Sequence, residues 1–387
     1  MLEKKNTPIT HSLNQPFYCS IKKRFLLNKK GSVKKTFHLD LDLGEKDFHY
    51  EEGDSLGILS HNPPTLVAKT LNRLQLKGHE TFFSEKKQNL ISSLSWVMRA
   101  NLQKLNRKIL TFFETNCPKC LEEFDLRELL KEENKDKLKA FTETHHLIDL
   151  LFKNSNAAQA WAELFNLLSP LLPRFYSIAS SPALYPKNIH LTVNKLEFSL
   201  HDTIRYGVCS HYLCKVALLN DPSIPVYLQA AKRFKLPQTP ETPIIMIGPG
   251  TGIAPFRAFM QKRMTQEAKN NWLFFGECNE AFDFYYKEEW EEYQEKGYLQ
   301  MNCAFSRDQE EKIYVQDKIY AQKDAIFEWI DQKKAHLYIC GDAQKMAKAV
   351  EQTLEKILQE KASLSPQEAR NYLKELRKDR RLEKDVY

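Results

Sequence analysis

The sequence predicts a β domain interrupted by a helical insert and followed by an α/β domain built on a parallel sheet. Three observations support this. From about residue 15 to 60 the pattern is that of strands, with apolar residues at a two-residue period in "FHLDLDL", and strand character returns in three short stretches between 174 and 231. Between about 62 and 172 the texture changes to Leu- and Lys-rich helical periodicity without strand signals. After the linker "PQTPETP" (237–243), four short apolar runs each lead into a helical stretch, the alternation of a parallel sheet covered on both faces.

Taken in order, "FHLDLDL" alternates Phe37, Leu39, Leu41 and Leu43 with polar residues, the pattern of a half-buried strand. "EEGDSLGIL" supplies Gly53 and Gly57, turn glycines suited to a sharp barrel corner. The insert runs from "NPPTLVAKTLNRLQL" to "AELFNLLSPLLP". Strand character returns at 174–180, in "IHLTVNKLEF" (189–198) and in "PVYLQAA" (225–231). The runs "IIMIG", "WLFFGE", "LQMNCAFS" and "HLYICG" are the strands of the second domain. The expected division is a barrel domain over 1–236, holding the insert at about 62–172, and an α/β domain over 237–387. No internal repeat is present.

Composition excludes several classes. At 387 residues, 42% hydrophobic and 28% charged, the chain is an ordinary globular protein of two or three domains. No run of about 18 apolar residues marks a membrane span, and "MLEKKNTPITHSLNQPFYCS" lacks a signal-peptide core. The eight cysteines are scattered, as in a reducing compartment, so a cytoplasmic location is expected. Cys117 and Cys120 form "CPKC", and His145 and His146 are the candidates to complete four zinc ligands. A loop between helices is the simpler reading, and no metal is expected. The net charge of +7 is interleaved with acidic residues and shows no concentrated basic stripe. "LKELRKDRR" reads as a solvated helix face, which argues against nucleic acid. A modest positive charge suits a small acidic protein partner.

Four segments carry chemistry. In "IIMIGPGTGIAPFRAFMQKR" (244–263) a strand ends in a glycine-rich turn, with Gly250, Thr251 and Gly252, and a helix opens near Pro255. Such glycines let a backbone approach a pyrophosphate, whose charge meets the helix N-terminus, although the spacing is not GxGxxG. "AFSRDQEEKIYVQ" follows the third run and brings Ser306, Arg307, Lys312, Tyr314 and Gln316. A hydroxyl, a guanidinium, an ammonium and a phenol suit the extra phosphate that distinguishes NADPH from NADH. "HLYICGDAQKMAKAV" places Cys340 at the end of the fourth run, with Asp342 just beyond. The closing "RRLEKDVY" carries Asp385 and the terminal Tyr387 in what is ordinarily a frayed tail.

A fifth stretch, "PRFYSIASSP" (173–182), has strand character but places an arginine, a tyrosine and hydroxyls in one short run. Taken with "FFGE…FDFYYKEEW", "AFSRDQEEKIYVQDKI", "YICGDAQKMAKAVE" and "RRLEKDVY" in that order, it resembles the ferredoxin–NADP reductase family. The match is closest to the FAD/NADPH half of the diflavin reductases, in their sulfite reductase flavoprotein branch, from about residue 15 to the end. The resemblance implies that Arg174 pairs with the FAD pyrophosphate, Tyr176 lies on the flavin face and Ser177 hydrogen-bonds near the hydride-accepting nitrogen. "LTV", with Thr192 and Val193, is similar to the flavin-contact strand. "GVCS" (Gly207, Val208, Cys209, Ser210) is similar to the second FAD motif. It further implies a catalytic set of Ser177, Cys340 and Asp385 at the nicotinamide, and a Tyr387 that covers the flavin and moves aside for the nicotinamide.

Two departures from the family stand out. Many relatives have an arginine after the glycine of the second NADP strand, where "FFGECNE" offers Glu277, Cys278 and Asn279. The chain also starts directly in the FAD barrel, so the flavodoxin-like FMN domain of those relatives is expected to be missing. The expected activity is hydride transfer from NADPH to FAD, then single electrons to a separate carrier: a flavodoxin, a ferredoxin, an FMN protein or a sulfite reductase haemoprotein. The alternatives are an NADPH-dependent diaphorase acting on small molecules and a non-catalytic remnant that binds a partner through the insert.

Overall fold

The computed structural model describes residues 12–44, 48–116, 125–152 and 156–387. They form two units: Met1–Ile58 with Phe175–Lys195 and Ala217–Tyr387, and Leu59–Arg174 with Leu196–Val216.

The first unit contains both large sheets. One has the order Arg174–Ser177, Ser55–Ile58, Ile224–Gln229, Phe17–Leu26, Thr36–Asp42, Asn188–Asn194. The four pairings from Ser55–Ile58 to Asn188–Asn194 are antiparallel. The ends of this sheet meet: Ile178 bridges Leu191 antiparallel, and the Ala179 N–H donates to the His190 carbonyl at 2.8 Å. The sheet therefore closes into a barrel, which removes its free edges. Its corner needs a glycine at Gly53, where φ is +95° and a Cβ would lie 1.8 Å from the Phe234 carbonyl oxygen.

The strand Thr36–Asp42 departs from the half-buried expectation. Leu39 and Leu41 are fully buried as the alternation implies, but His38 and Asp40 on the other face are buried too. The α/β part of the same unit covers that face: His38 Nδ1 meets the Tyr286 hydroxyl at 3.1 Å. Barrel and α/β layer share further buried polar contacts. Thr36 Oγ1 lies 2.9 Å from the Tyr285 hydroxyl, and Arg257 Nη1 donates to the Ala179 carbonyl at 2.8 Å.

The second sheet is wholly parallel, in the order Gln300–Phe305, Asn271–Glu277, Ile244–Ile247, His336–Gly341, Leu382–Val386. Ile244–Ile247 is buried at every position, as a central strand between two helical layers requires. The fifth strand gives "RRLEKDVY" a fixed place where a chain end is ordinarily frayed. Leu382 is 2% exposed, and the segment pairs along His336–Gly341.

The second unit is mainly helical, with Pro64–Arg73, Ser93–Arg99, Arg107–Asn116, Lys135–Thr144 and Trp161–Leu167 around a core that includes Trp96, Phe113 and Phe165. It also holds two hairpins, Thr81–Ser84 with Asn89–Ser92 and Glu197–Leu200 with Thr203–Tyr206. The first corrects the expectation of an insert without strands. Its alternation is only four residues long, with Phe82 turned onto Trp96, Trp161 and Phe165 and Phe83 turned outward. His145 stacks on Phe141 with ring centroids 4.0 Å apart, and burial first, then the nearby Arg205 charge, pushes the His146 pKa down to about 4. Cys117 and Cys120 lie outside the described residues.

Candidate functional site

The parallel sheet reverses its winding at Ile244–Ile247, whose neighbours are Asn271–Glu277 on one side and His336–Gly341 on the other. Ligands of open α/β sheets lie at the carboxyl ends of the strands at such a point. The turn after Ile247 is tight. Gly250 has φ +60°, and a Cβ on Gly252 would stand 2.2 Å from the Cys340 carbonyl oxygen. Two strand ends are thereby held in backbone contact, which only glycine permits. A 3₁₀ turn over Gly250–Ile253 then feeds the helix Ala254–Thr265, with Pro255 in its first turn as expected.

Three of the sequence-selected residues converge beside this turn. The parallel register sets Cys340 opposite Asp385. Ser177, from the barrel, donates its hydroxyl proton to Asp385 Oδ2 at 2.5 Å, and the Cys340 thiol approaches the same oxygen at 3.8 Å. Cys340 is fully buried, and burial, with the Asp385 charge second, pushes its pKa well above the usual thiol range. It is therefore a neutral S–H, a weak donor and not a nucleophilic thiolate. Tyr387 continues past the strand. Its hydroxyl meets Thr251 Oγ1 at 2.7 Å, its N–H donates to the Gly341 carbonyl at 3.1 Å, and its carbonyl accepts from Ala343 at 3.1 Å.

A cleft of about 560 Å³ opens at the same strand ends, lined by Gly250, Ser306, Tyr314, Gln316 and Asp342 among the selected residues. Arg307 and Lys312 are not on that lining. The Arg307 backbone N–H is tied to the Cys278 carbonyl at 2.8 Å, which places the residue at the end of the neighbouring strand. Asp342 also has a local role. Its carboxylate accepts from the backbone N–H groups of Lys345 and Met346 at 2.6 and 3.2 Å at the start of the helix Met346–Ala362, and those bonds lower its pKa.

Two residues on this lining form a pair that sequence reasoning did not assign, Lys34 having gone unremarked and Glu277 having been noted only as a departure from the family. Lys34 comes from the barrel and places its ammonium 2.8 and 2.7 Å from the two carboxylate oxygens of Glu277. Glu277 also accepts from the Tyr285 hydroxyl at 2.9 Å and from the Cys278 N–H at 2.8 Å. Lys34 sits in a lysine-rich segment, "NKKGSVKKT", where nothing in the pattern singles it out.

The remaining selected residues lie apart from the cleft lining. Arg174 is exposed at the start of its strand, and Tyr176 is half-buried. Thr192 is buried with its hydroxyl 2.7 Å from the Tyr286 hydroxyl, and Val193 is fully buried. In the second unit, Gly207 caps the short helix Val208–His211. Ser210 Oγ accepts from the Leu196 N–H at 3.1 Å and donates to the Gly207 carbonyl at 3.1 Å, while Val208 and Cys209 are buried.

Among the described residues, no helix is long and apolar enough to cross a membrane. Comparison with known proteins matches residues 9–212 to the FAD binding domain and residues 246–352 to the oxidoreductase NAD-binding domain. The chain is 40% identical over 386 residues to the sulfite reductase [NADPH] flavoprotein alpha-component of Shigella dysenteriae serotype 1, covering 97% of this chain. It is 37% identical over 389 residues to the protein of that name from Bacillus subtilis, covering 98% of this chain. The Escherichia coli O9:H4 protein is 39% identical. The chain spans 62% of the length of each of these relatives. FAD and a nicotinamide dinucleotide are the cofactors of the two matched domains. With the first match extending over more than half of its length, the chain belongs to the FAD binding domain family and carries an oxidoreductase NAD-binding domain behind it.

Proposed function

We propose that the chain transfers hydride from NADPH to bound FAD and passes the electrons singly to a separate protein carrier, as its relatives' name, sulfite reductase [NADPH] flavoprotein, suggests. The observation that carries this reading is the convergence of Ser177, Cys340 and Asp385 beside the glycine turn. Bound FAD supplies the hydride acceptor and the change from two-electron to one-electron transfer.

The residues fit both cofactors. The glycine turn at Gly250–Gly252, which Gly252 packs against the Cys340 carbonyl and which leads into the helix Ala254–Thr265, suits a dinucleotide pyrophosphate. Ser177 and Asp385 form a hydroxyl–carboxylate pair suited to orienting the nicotinamide, and Cys340 remains protonated beside them. Arg174 presents an exposed guanidinium, and Gly207 opens a helical turn over Val208, Cys209 and Ser210; each suits an FAD phosphate. Tyr176 and Tyr387 offer aromatic faces for the flavin, and Thr192 and Val193 mark the strand that supports it. Ser306, Arg307, Lys312, Tyr314 and Gln316 suit the 2′-phosphate and ribose of NADPH, and Asp342 fixes the loop opposite them.

The barrel domain is assigned to 1–236, with its helical insert, and the NADP domain to 237–387. The carrier is assigned as a flavodoxin, a ferredoxin, an FMN protein or a sulfite reductase haemoprotein. The location is assigned as the cytoplasm, in keeping with six described cysteines outside any disulfide. The test is anaerobic rapid mixing of the yellow holoprotein with NADPH, followed by turnover with each purified carrier and with a quinone dye. Flavin bleaching by NADPH and faster turnover with a protein carrier are expected. No bleaching would refute the oxidoreductase reading, and turnover confined to the dye would replace the carrier by a small-molecule acceptor.

A further inference from the structure

The charged side chains on the cleft lining are Lys34, Lys345, Glu277 and Asp342, two cations and two carboxylates. A cleft for a polyanionic dinucleotide would gain from an excess of positive charge, yet this lining has none. The cancellation is local. Glu277 is buried, its side chain 2% exposed, whereas the Lys34 side chain is 37% exposed and on the cleft wall. Both carboxylate oxygens of Glu277 engage the Lys34 ammonium. The carboxylate also stands at the glycine turn, with Oε1 3.5 Å from where a Cβ on Gly250 would sit. A fixed negative charge is therefore held against the backbone that suits the dinucleotide phosphates, and it draws the nearest cation to itself.

We infer that Glu277 sets the affinity of the cleft by restraint: it positions Lys34 and neutralises it, so that the pyrophosphate of either nicotinamide dinucleotide is held less tightly and the oxidised cofactor leaves faster. This rests on the reading of the cleft as a dinucleotide site. Glu277 is a positioning residue that acts through Lys34. The Tyr285 hydroxyl and the Cys278 N–H hold the carboxylate in place by donating to its two different oxygens; a glutamine at the same position keeps one acceptor, for the Cys278 N–H, and turns its NH2 to donate to the Tyr285 hydroxyl oxygen. Because the pyrophosphate is common to NADP+ and NAD+, the effect is blind to the 2′-phosphate. Contacts from Ser306 and Arg307 are not.

The test is titration calorimetry of the FAD-loaded protein with NADP+ and with NAD+, at two salt concentrations. Glu277→Gln should tighten both cofactors by about tenfold, a change equivalent to about 1.4 kcal/mol, and steepen the salt dependence by freeing one cation. Lys34→Met should weaken both by a similar factor, because the bare carboxylate then faces the phosphates. The double variant should return near the wild-type value. Unchanged or weaker binding in folded, yellow Glu277→Gln protein would overturn the inference. If that variant loses its flavin, Lys34→Met alone decides: a wild-type affinity for NADP+ would overturn it equally. A wild-type protein that binds neither cofactor would overturn the dinucleotide reading itself, and this inference with it.

Discussion

Replacing Asp385 by asparagine is the most direct probe of the convergent site. The carboxylate accepts the Ser177 hydroxyl at 2.5 Å and the Cys340 thiol at 3.8 Å on a single oxygen. Asparagine keeps the shape and one acceptor but removes the charge. Hydrogen bonds to charged groups contribute about 1.5–3 kcal/mol, against about 0.5–1.5 kcal/mol for neutral pairs. If the difference of about 1–1.5 kcal/mol is felt as positive charge develops on the nicotinamide, hydride transfer slows roughly five- to tenfold. The Asp385 charge is also the second cause of the raised Cys340 pKa, so its removal lowers that pKa. Burial, the larger cause, remains, and the thiol stays protonated near neutrality. The assay is rapid-mixing bleaching of the flavin at saturating NADPH, with NADP+ affinity measured in parallel. A slower limiting rate with affinity held within about twofold is the signature of an interaction made mainly in the transition state. A wild-type limiting rate in protein that retains its FAD would refute the reasoning.

Three further outcomes follow from the structure and the proposed function. Deleting Tyr387 removes its hydrogen bond to Thr251 and should raise NADH efficiency and narrow the NADPH-to-NADH ratio; an unaltered ratio in steady-state kinetics would show that the residue does not cover the flavin. Arg307→Ala should weaken NADPH about tenfold or more, equivalent to about 1.5–3 kcal/mol, and leave NADH unchanged; equal losses would make the residue structural. Acid should destabilise the fold early, because burial, and then the Arg257 charge, hold His38 and His190 down at about 3 and about 2. Unfolded imidazoles bind protons near pH 6.5 while the folded ones do not, so this stability is complete above about 6.5 and falls as pH drops towards 3, by up to about 1.4 kcal/mol per pH unit per ring. Urea midpoints that match at pH 7 and pH 5 would contradict this.

Much of the architecture was legible because its signals are local. The strand–glycine–helix sequence at 244–265 announces itself, as does the alternation of apolar runs and helices that follows. The hairpin at Thr81–Ser84 was not, since four residues are too few to distinguish a strand from a helix turn. The burial of both faces of Thr36–Asp42 was also hidden, because the covering residues Tyr285 and Tyr286 lie about 250 positions away. The pairing of Lys34 with Glu277 escaped for the same reason. Their separation of 243 residues carries no pattern, and the significance of each depends on the other.

The C-terminal segment shows how far a site of this kind depends on register. Along Leu382–Val386, Lys384 turns outward to Glu351 at 2.6 Å while Asp385 turns inward to Ser177, as alternation on a strand requires. The pairing of Cys340 with Asp385 is followed by that of Gly341 with Val386, and the backbone of Tyr387 is then fastened on both sides, to Gly341 and to Ala343. One register therefore brings the carboxylate to Ser177 and carries the terminal ring to Thr251. A slip of one residue would exchange Asp385 for a lysine or a valine and reverse every side chain on the strand. The anchor against such a slip lies upstream, where Leu382 is packed in the sheet core and the Arg381 carbonyl accepts from the Leu337 N–H at 2.7 Å. The geometry of the last three residues is thus set by apolar packing and backbone pairing that begin before them. That is why a stretch with the composition of a frayed tail holds a fixed carboxylate.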